Sequence, residues 1–273
     1  GGHFAVSGLR KAVSVVEVFD LKGKKVRSVE LPGLGTASNL VGLEDDDEAY
    51  YAFSSFTMPR QVFKTSVKTG KSELWAAVEV PVDPTRFEVK QVFYPSRDGT
   101  QISMFIVARK DVVLDGTNPV LLYGYGGFDI SLTSAFTSFI YPWLEAGGVY
   151  AVPNLRGGGE YGKAWHDAGK GANKQNVFDD FAGAAEYLVK EKWTTPKRLA
   201  IRGGSNGGLL VGAAMTQRPE LYGAVICAVP LLDMVRYHLY GSGKTWIPEY
   251  GDPEKAEELK VLAACSQYHH VSE

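Results

Sequence analysis

Cysteine is nearly absent: Cys227 and Cys265 are the two thiols in 273 residues. Two cannot build the disulfide framework of a small secreted scaffold, and a reducing compartment fits them. Cys227 lies in the apolar run from Ala224 to Pro230 and reads as a small buried hydrophobe. Positive charge is not in excess either. With 29 Lys and Arg against 31 Asp and Glu the net charge is −2, and the clustered basic face that nucleic acid demands is missing. The one block of like charge, Glu44-Asp45-Asp46-Asp47-Glu48, reads as a solvated turn. No window approaches the ~20 consecutive apolar residues that cross a bilayer, so no membrane partner is expected. The chain opens on Gly1 without a methionine or a signal-like segment, and the natural N-terminus is expected upstream. What is present is 45% apolar and 12% aromatic content, ample for a dry core and one or two domains.

Two compositions meet near residue 80. Before it, Val13 to Phe19 and Ala49 to Phe53 are short β-branched or aromatic runs between turn residues, which read as antiparallel strands. Leu21-Lys22-Gly23-Lys24 is echoed by Val67-Lys68-Thr69-Gly70-Lys71, about one propeller blade later. Residues 1–80 are therefore expected to be blades of an incomplete β-propeller, two unrelated hairpins being the alternative. Pro81-Val82-Asp83-Pro84 marks a seam, because two prolines in four residues resist helix and central strand alike. In 81–273 strand and helix patterns alternate. Strands are expected at Pro119 to Tyr123, Val149 to Val152, Leu199 to Ile201 and Ala224 to Val229, the last one buried. Helices are expected at Ser131 to Ala146, around Phe178 to Val189, at Leu209 to Gln217 and at Lys255 to Ala264, with Asp252 as the N-cap of the last. Such alternation means an α/β fold, a mostly parallel sheet flanked by helices.

Gly203-Gly204-Ser205-Asn206-Gly207 satisfies G-x-S-x-G between a strand and a helix, the context that a nucleophile elbow requires. A serine on so tight a turn needs glycine neighbours, and the following helix aims its free N–H groups at the reacting oxygen. One oxyanion donor is then the N–H of Asn206. The second is expected from Tyr123-Gly124-Tyr125-Gly126-Gly127-Phe128, which also reads as a tight turn with packed tyrosines. Gly157 to Gly162 matches the dinucleotide pattern G-x-G-x-x-G, but Glu160 to Lys174 reads as polar loop where the fingerprint needs a helix. Neither cofactor nor metal is called for.

Serine needs a histidine base held by a carboxylate, and in this architecture both follow it in the chain. His238, His269, His270, Asp233 and Asp252 lie after Ser205. The only clear strand there is Ala224 to Val229, so a local triad is not expected and the base should lie beyond residue 273.

From about Phe93 onward the chain resembles the prolyl oligopeptidase family of serine peptidases, most specifically in YGYGGF, NLRGGGEYG, NKQNVFDDF and GGSNGGLL. The resemblance implies an α/β-hydrolase domain with a propeller cap, and a cytoplasmic, monomeric endopeptidase that cuts short proline-containing peptides after proline. It implies Ser205 as nucleophile and the Asn206 N–H with the Tyr125 hydroxyl as oxyanion hole. Phe128, Trp246, Tyr250 and Leu231 would line the proline pocket, although Trp246 also reads as a core tryptophan. The family's aspartate, histidine and substrate-binding arginine are expected past residue 273. The alternatives are an oligopeptidase B-like enzyme cutting after basic residues, a lipase or esterase, or a non-catalytic interaction protein.

Overall fold

The computed structural model describes residues 2–271. β1 (His3–Arg10), β2 (Val13–Asp20) and β3 (Lys25–Ser28) form one antiparallel sheet. β4 (Thr36–Ala37), β5 (Val41–Gly42), β6 (Glu48–Ser54), β7 (Gln61–Ser66) and β8 (Ser72–Ala77) form a second. Alternation decides which face is covered: Val16 and Val18 of β2 meet Tyr51 and Phe53 of β6 in one small core. The two lysine-glycine segments are both hairpin tips, joining β2 to β3 and β7 to β8. The Glu30 N–H donates to the Gly70 carbonyl at 3.0 Å, which ties the first sheet to the tip of the second.

Sheet membership changes between Ala77 and Phe87. β9 (Phe87–Pro95) and β10 (Gln101–Arg109) make a hairpin at the edge of a six-stranded sheet with β11 (Val120–Tyr123), β12 (Val149–Pro153), β13 (Leu199–Gly204) and β14 (Ala224–Ala228). The order β14-β13-β11-β12-β10-β9 has four neighbouring parallel strands and the antiparallel hairpin. Both faces of β10 are covered. Ile102, Met104, Ile106 and Ala108 face the main core, while Phe105 and Val107 pack with Phe56, Tyr141 and Leu144.

The helices are α1 (Tyr141–Glu145), α2 (Lys163–Asp167), α3 (Gln175–Lys190), α4 (Asn206–Gln217), α5 (Ile247–Tyr250) and α6 (Ala256–Ala264). The stripe on α3 is as expected. Phe178, Phe181, Ala185 and Leu188 are buried against the sheet, and each of the larger two, Phe178 and Phe181, contributes about 1.5–3 kcal/mol of burial. Four expectations are corrected. The helix foreseen over 131–146 shrinks to α1, because the preceding backbone bonds elsewhere: Leu132 N–H to Glu160 Oε1, Phe136 N–H to Ser54 Oγ, and the Ser134 carbonyl to Thr36 Oγ1. The loop foreseen from Glu160 to Lys174 contains α2 and a 3-10 turn at Gly171–Asn173. Asp252 does not cap α6, whose N-cap is Lys255; its carboxylate takes the Glu254 N–H instead. β14 is half open. Val225 and half-buried Cys227 pack against the core, while Ile226 is 49% exposed, because among the described residues this is the last strand of the sheet.

The loop after β12 is fixed by a buried ion pair. Arg156 Nη2 lies 2.6 Å from Asp180 Oδ1, and the same carboxylate accepts Ser96 Oγ–H and the Arg156 main-chain N–H. Arg156 also reaches Asp98 in the β9–β10 turn at 2.6 Å. The Asp180 carboxylate is thus committed to holding α3 on the sheet.

Candidate active site

Ser205 stands between β13 and α4 with φ 56° and ψ −117°, a backbone region that non-glycine residues seldom occupy. Its carbonyl accepts from Gly208 and Leu209 N–H, and its own N–H donates to the Ala228 carbonyl at 3.0 Å. The two glycines are explained by contact. A Cβ on Gly203 would lie 2.0 Å from the Gly207 carbonyl oxygen, and one on Gly207 would lie 2.5 Å from the Gly124 carbonyl oxygen. Backbone on both sides leaves no room for relief. The turn therefore closes only with glycine at both places, and Ser205 stays exposed.

Asn206 is fully buried. Its N–H heads α4, where a helix leaves its first donors without an intrahelical acceptor. Its side chain donates to the Tyr125 carbonyl at 2.6 Å and accepts from Lys174 Nζ and the Tyr250 hydroxyl, both at 3.0 Å. The 123–128 loop is thus seated directly on the elbow. Tyr125 is half-buried, and burial raises its phenol above the ordinary range, so the hydroxyl is a neutral donor at physiological pH. Phe128 has φ 57° and gives its N–H to Glu249 Oε1 at 2.8 Å; Glu249 Oε2 is 2.7 Å from His166 Nε2.

Ser205, Leu231 and Trp246 line one cavity of about 500 Å³, together with Val229, Pro230, Tyr237 and Tyr240. Phe128 and Tyr250 stand outside that lining. Their rings meet edge to face at 5.5 Å, and Tyr250 meets the lining residue Tyr237 at the same spacing, so they back the cavity wall. Asp233 is the acid of the lining, and Arg236 holds it at 2.5 Å. Among the described residues His166, His238, His269 and His270 are engaged away from Ser205, with Glu249, Glu254, Ser266 and the Ala263 carbonyl.

Sequence reasoning missed Lys174 and Glu249. A lysine ahead of an amphipathic helix normally reads as solvated, and nothing local marks Lys174 as 3% exposed. Glu249 could have been suspected from its place between Trp246 and Tyr250. Glu160 was missed too. Oε1 accepts the Leu132 N–H just beyond the loop, Oε2 has no partner, and burial raises the carboxyl to about 7. The folded state then keeps a proton that the unfolded chain releases near 4.5, so stability is full below that value and falls as pH rises to about 7. Glu160→Gln is expected to unfold at higher urea than the parent at pH 8, by on the order of 3 kcal/mol, and to match it at pH 4.5.

A family model described as the prolyl oligopeptidase family matches residues 134–273, and one for the prolyl oligopeptidase N-terminal β-propeller domain matches 1–78. The YGYGGF loop lies between the two matched stretches. A prolyl endopeptidase of Elizabethkingia miricola is 46% identical over 99% of this chain and 39% of its own length. One of Dictyostelium discoideum is 42% identical over 98% and 36%. Among solved structures, one from a study of two prolyl endopeptidases superposes with TM-score 0.92 at 69% identity, covering 99% of this chain and 40% of the other. Prolyl oligopeptidase B of Galerina marginata, bound to a 25-residue macrocyclization substrate, gives 0.91 at 34% identity, over 99% and 38%. The chain spans about two-fifths of the length of these relatives. The sheets before residue 78 are propeller blades, and the six-stranded sheet with its helices is an α/β-hydrolase peptidase fold. No helix among the described residues is long and apolar enough to cross a membrane.

Proposed function

The chain belongs to the prolyl oligopeptidase family, and from that premise we propose that the protein carrying it is a serine endopeptidase that cleaves short peptides on the carboxyl side of proline. We divide it at residue 80 into propeller blades and peptidase domain, and assign it as a cytoplasmic monomer. The observation that carries the reading is Ser205 itself, an exposed hydroxyl on a strained elbow at the mouth of an apolar, tryptophan-walled cavity.

Ser205 Oγ attacks the proline carbonyl carbon and its proton passes to a histidine. With the described histidines engaged elsewhere, we place that base and its carboxylate in the part of the protein outside these residues. The oxyanion is held by the Asn206 N–H and the Tyr125 hydroxyl. Collapse expels the amine, which takes the proton back, and water then hydrolyses the acyl-enzyme. Trp246 offers a face to the pyrrolidine ring, with Leu231 on the same cavity and Phe128 and Tyr250 behind it.

A pocket for arginine or lysine would need a free carboxylate, and Asp233 is already paired. This favours proline over the oligopeptidase B-like alternative. In the full-length protein, a Gly-Pro chromogenic amide is expected to be cleaved far faster than its Gly-Arg counterpart. Trp246→Ala should lower kcat/KM on the former by about 10- to 100-fold. Preference for Gly-Arg would transfer the reading to the alternative; no cleavage of either, with Ser205 unreactive, would favour an interaction protein.

A further inference from the structure

Three anchors hold the loop that carries Tyr125. Asn206 Nδ2 donates to the Tyr125 carbonyl at 2.6 Å, Lys174 Nζ donates to the Gly126 carbonyl at 2.9 Å, and Glu249 Oε1 accepts the Phe128 N–H at 2.8 Å. Lys174 ties the loop to the elbow from a third element, because its ammonium also donates to Asn206 Oδ1 at 3.0 Å. Few lysines are buried to this degree. This one spans from the head of α3 to the loop after β11 and the first residue of α4.

We propose that Lys174 is a positioning residue for the reaction, fixing the spacing between the two oxyanion donors and holding a positive charge beneath them. The inference rests on the serine-peptidase reading of Ser205. One ammonium bonds the main chain next to Tyr125 and the side chain of Asn206, so the two donors cannot drift apart without breaking a charge-assisted bond. The Tyr250 ring lies 5.5 Å from the ammonium, Glu249 supplies negative charge and is itself bonded to His166, and the nearby Cys265 thiol is pushed up to about 11 by burial and stays neutral. Burial lowers the Lys174 ammonium to about 8, and Glu249 opposes the shift. The charge beneath the donors is therefore lost over mildly alkaline pH. The neutral amine keeps two N–H groups but loses the stronger, ionic form of both bonds.

The test is hydrolysis of a Gly-Pro chromogenic amide by the full-length protein, its Lys174→Met form and its Glu249→Gln form, between pH 6.5 and 9.5. At pH 7 Lys174→Met is expected to lower kcat 10- to 100-fold with KM changed less than threefold. The ratio of parent to variant should shrink at least threefold by pH 9.5, as the parent loses its own charge. Glu249→Gln, which keeps an oxygen for Phe128, should move the parent's alkaline limb to lower pH. A Lys174→Met enzyme within twofold of the parent, or a ratio that does not vary with pH, overturns the inference. If Lys174→Met does not fold, an unmoved limb in Glu249→Gln overturns it. Fluorophosphonate labelling of the parent separates the two readings. A parent that does not label at Ser205 sinks the peptidase reading and this inference with it, whereas a labelling parent with an indifferent Lys174→Met sinks only this one.

Discussion

Ser205→Ala in the full-length protein is expected to abolish fluorophosphonate labelling and to lower turnover of a Gly-Pro chromogenic amide by on the order of 10⁴–10⁶-fold. The change removes one oxygen from an exposed position, so fold and substrate affinity should survive. The Asn206 N–H and the Tyr125 loop remain, and residual rate above water reports their contribution. The informative comparison is KM, which should move little while kcat collapses. Equal labelling of parent and variant, or a label mapped by mass spectrometry to another residue, would falsify the assignment of the nucleophile.

The second large effect concerns stability. Asp180→Ala is expected to cost about 3–5 kcal/mol, read as a lower urea midpoint at unchanged slope. The carboxylate is fully buried, and it takes Arg156 Nη2, Nε and N–H together with Ser96 Oγ–H. Removing it strands a guanidinium that is 4% exposed, with only the half-exposed Asp98 left as counter-charge. Replacing both partners, as Asp180→Leu with Arg156→Met, should recover most of the loss, because no charge is then left buried without its mate. A double variant as unstable as Asp180→Ala would mean that packing, not the stranded charge, sets the cost. Acid adds a smaller loss of the same kind. Hydrogen bonds from Arg156 hold Asp98 at about 2, so its contribution is present above the ordinary carboxylate value and disappears as pH falls toward 2.

The elbow was legible in the sequence because its constraint is local. Gly203 answers to the Gly207 carbonyl four residues on, which a G-x-S-x-G between apolar runs records directly, while the Gly124 carbonyl that claims Gly207 lies in the loop after β11. β2, β6 and α3 were legible for a similar reason, since periods of 2 and 3.6 mark one covered face. What failed was whatever depended on the far side of an element. The run from Ala224 to Val229 is apolar throughout, yet half of β14 faces outward, because periodicity cannot say whether a second layer is present. The residues before α1 are helix-compatible, but partners on β4, β6 and the Glu160 loop claim their backbone. Lys174 and Glu249 were invisible for the deepest reason. Their partners are 48 and 121 residues away in the chain, and no window contains both ends.

The left-handed backbone at 205 also has a bearing on how such a chain can change. An L-residue there sits in a conformation that glycine would adopt at lower cost, so a serine-to-glycine replacement would sacrifice chemistry while relieving the main chain. Heat-resistance selection alone would drift toward an inert protein at this codon. Under the proposed peptidase reading, a demand for turnover is what would keep the hydroxyl in place.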